Sequence, residues 1–213
     1  MLPILYSFRR CPYAIRARLA ISSAQQQVAL REVVLRDKPE AFLTVSPSAT
    51  VPCLETTDQV IDESLDIMVW ALTQSDPEAL LQMPEDGLVL IERFDGAFKQ
   101  ALDHTKYAVR FPEFDPEKTR AEAMQILAQL EPRLAQNPWL FGTMPRLADL
   151  AILPFVRQFA MIDKPRFDRE VLPATRHWLD KFLSSARFTR VMEKHIPWSP
   201  NAKEVIFPPT NPA

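Results

Sequence analysis

Tyr6-Ser7-Phe8-Arg9-Arg10-Cys11-Pro12-Tyr13-Ala14-Ile15-Arg16-Ala17-Arg18-Leu19 joins two kinds of periodicity across one short turn. On its N-terminal side, Pro3 to Ser7 is a run of bulky apolar residues of strand length. On its C-terminal side, Pro12 to Ala24 has helical spacing, with Ala14, Ala17 and Ile21 down one side and Ile15 and Leu19 beside them. Proline suits the first helical position because its missing N–H has no intrahelical partner there. Cys11 therefore falls just before a helix, where unsatisfied N–H groups and the positive end of the macrodipole favour a thiolate. Such a setting can lower a cysteine pKa from about 8.5 to between about 3.5 and 7.5. The local charge acts in the same direction, since residues 1–38 carry seven arginines and lysines against only Glu32 and Asp37. Taken alone, Cys11-Pro12 fits a small, half-buried cysteine that happens to precede a proline just as well.

Beyond this helix, Ala29 to Leu35 reads as a second strand and Pro39 to Val45 as a short helix. Val51 to Glu55 and Gln59 to Ile61 read as short strands, and Glu63 to Gln74 as a helix carrying Leu65, Met68, Trp70 and Leu72. The order βαβ, α, ββα predicts a thioredoxin-like α/β domain whose sheet is parallel in its first unit. Asp76-Pro77 and Met83 to Gly87 read as a linker. After it only helical period appears. Leu88, Ile91, Phe94, Phe98, Ala101 and Leu102 make one stripe, and Ala123, Leu127, Leu130 and Leu134 a second. A strongly apolar segment from Leu150 to Phe159 is placed at the centre of a bundle, and Trp178, Leu179, Phe182 and Leu183 follow. The predicted architecture is α/β followed by all-α: a thioredoxin-like domain over 1–76, a linker over 77–87 and an all-helical domain over 88–213. The tail from His195, with five prolines in its last 17 residues, is predicted to be extended.

Composition bounds the possibilities. Of 213 residues 47% are hydrophobic, enough apolar surface to offset the entropy of ordering the chain, so disorder is excluded. The longest charge-free stretch, Ala41 to Leu54, holds two prolines and several hydroxyls and is too short for a bilayer-crossing run of about 20 apolar residues. With 25 Lys and Arg against 27 Asp and Glu, the chain lacks the basic excess of a nucleic-acid binder. Its first residues make a poor secretory signal, and two cysteines make no disulfide framework, so a reducing, cytoplasmic setting is expected. His104, His177 and His195 are far apart and no metal site is expected.

Two further signals follow Cys11 in order. Val51-Pro52 precedes a short strand. In thioredoxin-like folds a cis proline at this turn faces the helix-terminal cysteine and offers the backbone of the preceding residue, here Val51, to a peptide ligand by strand addition in miniature; the alternative is an ordinary trans proline at a strand start, where it costs no ladder bond. Asp62-Glu63-Ser64 opens a helix that Ser64 could cap, and whose N-terminus could hold a carboxylate.

Taken in sequence, these signals resemble the cysteine-type glutathione transferases, most of all the omega class. The resemblance runs through Ser7 to Leu19, Leu35-Arg36-Asp37-Lys38-Pro39-Glu40-Ala41-Phe42, Val51-Pro52-Cys53-Leu54-Glu55 and Glu63-Ser64. In the helical half it rests on Gly142 and Leu147-Ala148-Asp149. It implies that Cys11 forms a mixed disulfide with glutathione and that Lys38 pairs with the glycyl carboxylate. It also implies that the Val51 backbone, ahead of a cis Pro52, bonds the cysteinyl unit, that Glu63 and Ser64 hold the γ-glutamyl end, and that Tyr13 lies beside the sulfur. The charges fit, because glutathione carries two carboxylates and one ammonium.

Position 14 is alanine, so no second thiol closes a Cys-x-x-Cys disulfide and the expected catalysis is monothiol. Tyrosine- and serine-type members use a hydroxyl near the end of the first strand. Tyr6 and Ser7 stand there, but the motif aligns Cys11 with the active position, and Tyr6 is expected in the core. Cys53 is expected to be buried packing. Arg146 stands where the family has Ser or Thr before the Asp matching Asp149, leaving that acid only half of a capping box. The implied activity is glutathione-dependent thiol transfer, extending to reduction of dehydroascorbate or glutathionylated ketones, with glutathione as co-substrate and no metal. Tyr107, Phe111 and Trp198, each near a helix end or in a loop, are expected to line a second-substrate site, and a homodimer is expected. The rival is a catalytically silent adaptor on the same fold that binds a protein partner.

Overall fold

A computed structural model describes residues 2–209 of the chain, which fall into two compact units. The first joins the residues up to Leu81 with those from Ala186 onward, and the second spans Gln82–Ser185.

In the first unit β1 (Ile4–Ser7) is followed by α1 (Pro12–Ser23), β2 (Val28–Glu32), α2 (Glu40–Val45), β3 (Cys53–Glu55), β4 (Val60–Ile61) and α3 (Ser64–Gln74). β1 pairs parallel with β2, Leu5 opposite Leu30, and antiparallel with β3, Tyr6 opposite Cys53. β3 pairs antiparallel with β4. The βαβ, α, ββα order read from the sequence is therefore the thioredoxin-like sheet with its helices. Leu5, Ile15, Leu19, Leu54, Ile67 and Met68 are fully buried in its core.

The C-terminal end departs from the sequence reading. Residues from Ala186 belong with the first unit rather than the helical one, and the tail from His195 includes a paired strand. α11 (Ala186–Val191) is held by Arg187, whose guanidinium donates to Ser23 Oγ at 2.6 Å and pairs with Glu78 at 2.8 Å. Further on, β5 (Val205–Phe207) pairs antiparallel with β2, giving the five-stranded order β4-β3-β1-β2-β5. Without β5 the outer edge of β2 would expose unpaired N–H and C=O groups, and Val-Ile-Phe is a run suited to cover it. The expected linker also shrinks. The Asp76 carboxylate accepts the N–H groups of Leu80 and Leu81 at 2.8 and 2.9 Å, Leu80 is fully buried, and residues 77–81 join the first unit.

The second unit is helical: α4 (Asp86–Arg93), α5 (Lys99–Lys106), α6 (Pro116–Ala128), α7 (Glu131–Leu134), α8 (Leu147–Ala160), α9 (Lys164–Glu170) and α10 (Pro173–Leu183). Proline opens α6, α7, α9 and α10 within their first two positions, where it costs no hydrogen bond. A single π-helical turn, Phe94–Phe98, joins α4 to α5. It shifts the helical phase, and Phe94 and Phe98 both face the core with ring centroids 4.7 Å apart. The inner face of α4 runs through Gly87 and Ile91, and Leu88, expected in the apolar stripe, is 54% exposed. α8 is the buried centre that its apolar run predicts.

α8 starts well despite Arg146. Asp149 accepts the Arg146 N–H at 2.9 Å, and its other oxygen accepts Leu140 N at 3.0 Å and Trp178 Nε1 at 2.9 Å. One carboxylate thus ties the start of α8 to the preceding loop and to α10. Burial pushes its pKa up to about 6, against the pull of those hydrogen bonds. Among the described residues no helix is long and apolar enough to cross a membrane.

Candidate active site

Cys11 is the N-cap of α1, with extended backbone (φ −70°, ψ 124°) and Pro12 at the first helical position. Its N–H closes the preceding turn onto Phe8 O at 3.0 Å, and its carbonyl accepts Ile15 N at 2.9 Å. The side chain is half-buried, and Sγ lies 3.5 Å from the carbonyl oxygen of Val51. The Val51-Pro52 peptide is cis. The helix-terminal sulfur and the backbone ahead of Pro52, far apart in sequence, are thus brought together.

Two buried arginines on α1 organise the surroundings, and neither was singled out in the sequence. Arg18 donates from Nε to Val191 O at 3.0 Å and from Nη2 to Arg9 O at 2.8 Å, and Nη1 bonds Ser7 Oγ. Burial holds its pKa down to about 10, against the opposing pull of Glu32 and Cys11. A buried cation therefore stands behind the turn that carries Cys11 and fixes its backbone. Arg16 is 2% exposed; its Nε donates to Ser64 Oγ at 2.9 Å, and its guanidinium lies 5.3 Å from the Tyr13 ring. The helical period of α1 marks apolar positions as buried and arginines as solvated, so only the acceptors found in three dimensions reveal these two.

Ser64 therefore does not cap α3. The N-cap is Glu63, which is exposed and makes no side-chain cap bond, and Ser64 is the first helical residue, its hydroxyl engaged by Arg16. Lys38 lies partly buried in the segment between β2 and α2, with no ion-pair partner among the described residues. Tyr6 and Ser7 are buried. Arg31 Nη1 donates to Tyr6 Oη at 2.7 Å, and burial, partly offset by Arg31, raises the Tyr6 pKa above its ordinary value.

Residues 5–79 match the family described as Glutathione S-transferase, N-terminal domain, and residues 89–181 match Glutathione S-transferase, C-terminal domain. The chain belongs to the glutathione S-transferase family. It is 26% identical over 195 residues to "Glutathione S-transferase L1" of Arabidopsis thaliana, covering 87% of this chain and 80% of that one. It is 39% identical over 62 residues to "Glutathione S-transferase omega-2" of Homo sapiens, 29% of this chain and 26% of that one. Among solved structures, a glutathione transferase family member from Pseudomonas fluorescens pf-5, with two glutathione bound, shares the fold. Its TM-score is 0.74 over 90% of this chain and 92% of that one, at 21% identity.

Within this glutathione S-transferase fold Cys53 is fully buried against Tyr6, Val33, Phe42 and Val51, as its place in β3 led us to expect. Burial pushes its thiol up to about 11, which keeps it protonated and unreactive at neutral pH. Trp198 packs edge-on against Tyr6 at 6.5 Å and under the Arg31 guanidinium at 4.2 Å, while its backbone N–H donates to Glu32 O at 2.9 Å. Its ring anchors the C-terminal segment beside β2. Tyr107 and Phe111 belong to the helical unit. Tyr107 ends α5 with Lys106 and Arg110 each 4.9 Å from its ring, and Phe111 packs 4.7 Å from His104.

Proposed function

We propose that this chain is a glutathione-dependent thiol transferase of the cysteine type, working by a monothiol mechanism with Cys11 as nucleophile. The observation that carries the reading is the condition of the three possible nucleophiles at the entry to α1. The Tyr6 and Ser7 hydroxyls are buried and engaged by Arg31 and Arg18, whereas Cys11 is half-exposed at a helix N-terminus beside Val51 O. The backbone N–H groups of α1 and the fixed charge of Arg18 favour the thiolate.

Glutathione, which a relative of the same fold binds, fits the chemistry around that sulfur. The Val51 backbone would bond its cysteinyl unit and Lys38 its glycyl carboxylate. Ser64 and the N-terminus of α3 would take the γ-glutamyl carboxylate, and Glu63 the γ-glutamyl ammonium. Because Arg16 already donates to Ser64 Oγ, the hydroxyl proton of Ser64 is left for the ligand. Tyr13 would border the sulfur. Tyr107, Phe111 and Trp198 belong to the reading as second-substrate residues, as does a homodimer in a reducing, cytoplasmic setting. In the reaction, the Cys11 thiolate attacks the glutathionyl sulfur of a mixed disulfide, expels the other thiol, and is freed by a second glutathione. Reduction of dehydroascorbate or of glutathionylated ketones uses the same parts.

Calorimetric titration with a thioether analogue of glutathione tests the binding half of this reading. Wild type is expected to bind, and Lys38→Ala to bind about tenfold more weakly through loss of one charge-assisted contact. Absence of binding, or an affinity unchanged by Lys38→Ala, would contradict it.

A further inference from the structure

A cavity of about 450 Å³ opens within the first unit between residues 8–10, 32–36 and 194–197. Its first wall, Phe8 to Arg10, belongs to the turn that the Cys11 N–H closes onto Phe8 O, so Cys11 directly follows the cavity wall in the chain. Phe8 and Cys11 also border the same apolar cluster around Tyr6, Val33 and Phe42. The lining mixes apolar surface, from Phe8, Val33, Leu35 and Pro197, with four cations, Arg9, Arg10, Arg36 and Lys194. The one carboxylate in the lining, Glu32, already accepts Arg9 N–H at 2.8 Å. Arg10, Arg36 and Lys194 have no carboxylate partner among the described residues. Leu35 is 45% exposed, an apolar side chain left open at a basic site. The volume suits a small organic molecule, and the excess of positive charge in a concave site concentrates anions.

We propose that this cavity holds the anionic end of the substrate's non-glutathione half and so selects small organic thiols that carry carboxylates or phosphates. The inference rests on the thiol-transfer reading above and names its substrate class. Written GS–SR, the substrate is attacked at its glutathionyl sulfur by the Cys11 thiolate. The Cys11–SG bond forms, the GS–SR bond breaks, and RS⁻ departs with the electron pair. The surrounding cations hold the anionic groups of R and stabilise the departing thiolate, and a better-stabilised thiolate leaves faster. A glutathione thiolate then attacks Cys11–SG, forms glutathione disulfide and restores the Cys11 thiolate. RS⁻ takes up the proton that the second glutathione lost, so the net change is GS–SR plus glutathione to RSH plus glutathione disulfide.

The test compares kcat/KM for two glutathione mixed disulfides, one with mercaptosuccinate and one with 2-mercaptoethanol. The proteins are wild type and the triple variant Arg10→Gln/Arg36→Gln/Lys194→Gln. Wild type is expected to prefer the mercaptosuccinate disulfide by about tenfold at low ionic strength, and the preference to fall toward unity in the variant. Added salt should erode the wild-type preference as well, a reading that needs no variant to fold. Turnover of the 2-mercaptoethanol disulfide without preference for the anionic one would overturn this inference and leave thiol transfer standing. A preference that survives both salt and the triple variant would also overturn it. No turnover of either disulfide would overturn both readings. A glutathionylated acidic peptide turned over faster than the small anionic disulfide would refute the assignment to small molecules.

Discussion

Cys11→Ser is expected to lower turnover of a glutathione mixed disulfide by at least about 10³-fold, in line with loss of a covalent nucleophile. The substitution removes one sulfur and little else. Serine is a favoured N-cap residue, and the Cys11 side chain makes no cap bond that the exchange would remove, so the helix is preserved. The hydroxyl, however, is not ionised near neutral pH and cannot form a disulfide. No neighbour is placed to take over. Tyr6 Oη is buried against Arg31, Ser7 Oγ is buried against Arg18, and Cys53 is enclosed with its thiol pushed up to about 11. Steady-state assay with excess glutathione, beside a far-UV spectrum to show that the variant is folded, makes the measurement. Substantial residual turnover would assign the chemistry to another group.

The largest effect on stability is expected at Asp149. Asp149→Ala removes the shared acceptor of Leu140 N, Arg146 N and Trp178 Nε1 inside a fully buried site. An orphaned buried donor costs about 1–3 kcal/mol, so the two buried donors, Leu140 N and Trp178 Nε1, with the part-buried Arg146 N and less the relief of an unfavourably buried charge, give a net loss of about 3 kcal/mol at pH 7. The pH dependence gives the assignment a sign. Burial raises this carboxyl from 3.8 to about 6 in the folded chain, so the folded state holds the proton more tightly than the unfolded state. Its contribution to stability is therefore full below about 4 and falls as pH rises through about 6. The gap between wild type and Asp149→Ala, measured by urea unfolding, is expected to be larger at pH 5 than at pH 7. A gap that stays constant or narrows on acidification would contradict this account of the site.

What the sequence shows and hides follows from which interactions are local. The strand, turn and helix around Cys11 are legible because period, proline at the first helical position and the helix dipole are all properties of a few consecutive residues. The meeting of Cys11 with Val51 is legible only through the order of the thioredoxin-like elements, and the structure supplies the 3.5 Å contact. Arg16 and Arg18 are illegible, since a charged residue on a helix reads as solvated until Ser64, Ser7, Arg9 and Val191 are seen to accept from it. Ser64 reads as a cap for the same reason, because the side chain that claims its oxygen lies 48 residues away. β5 is obscured by prolines on both sides, although Val205-Ile206-Phe207 itself carries a strand signal. Leu88 fails the simple helical stripe because the buried face of α4 runs through Gly87, Ile91 and on to Phe94, which leaves Leu88 on its exposed flank.

The central claim is that Cys11, and not another group, carries the glutathionyl unit. Intact mass and peptide mapping of wild type after exposure to glutathione disulfide tests it most directly. The account predicts one glutathionyl group per chain, on Cys11, removed by added glutathione, with Cys53 unmodified in the folded protein. A chain that stays unmodified, or one modified on Cys53 instead, would contradict it.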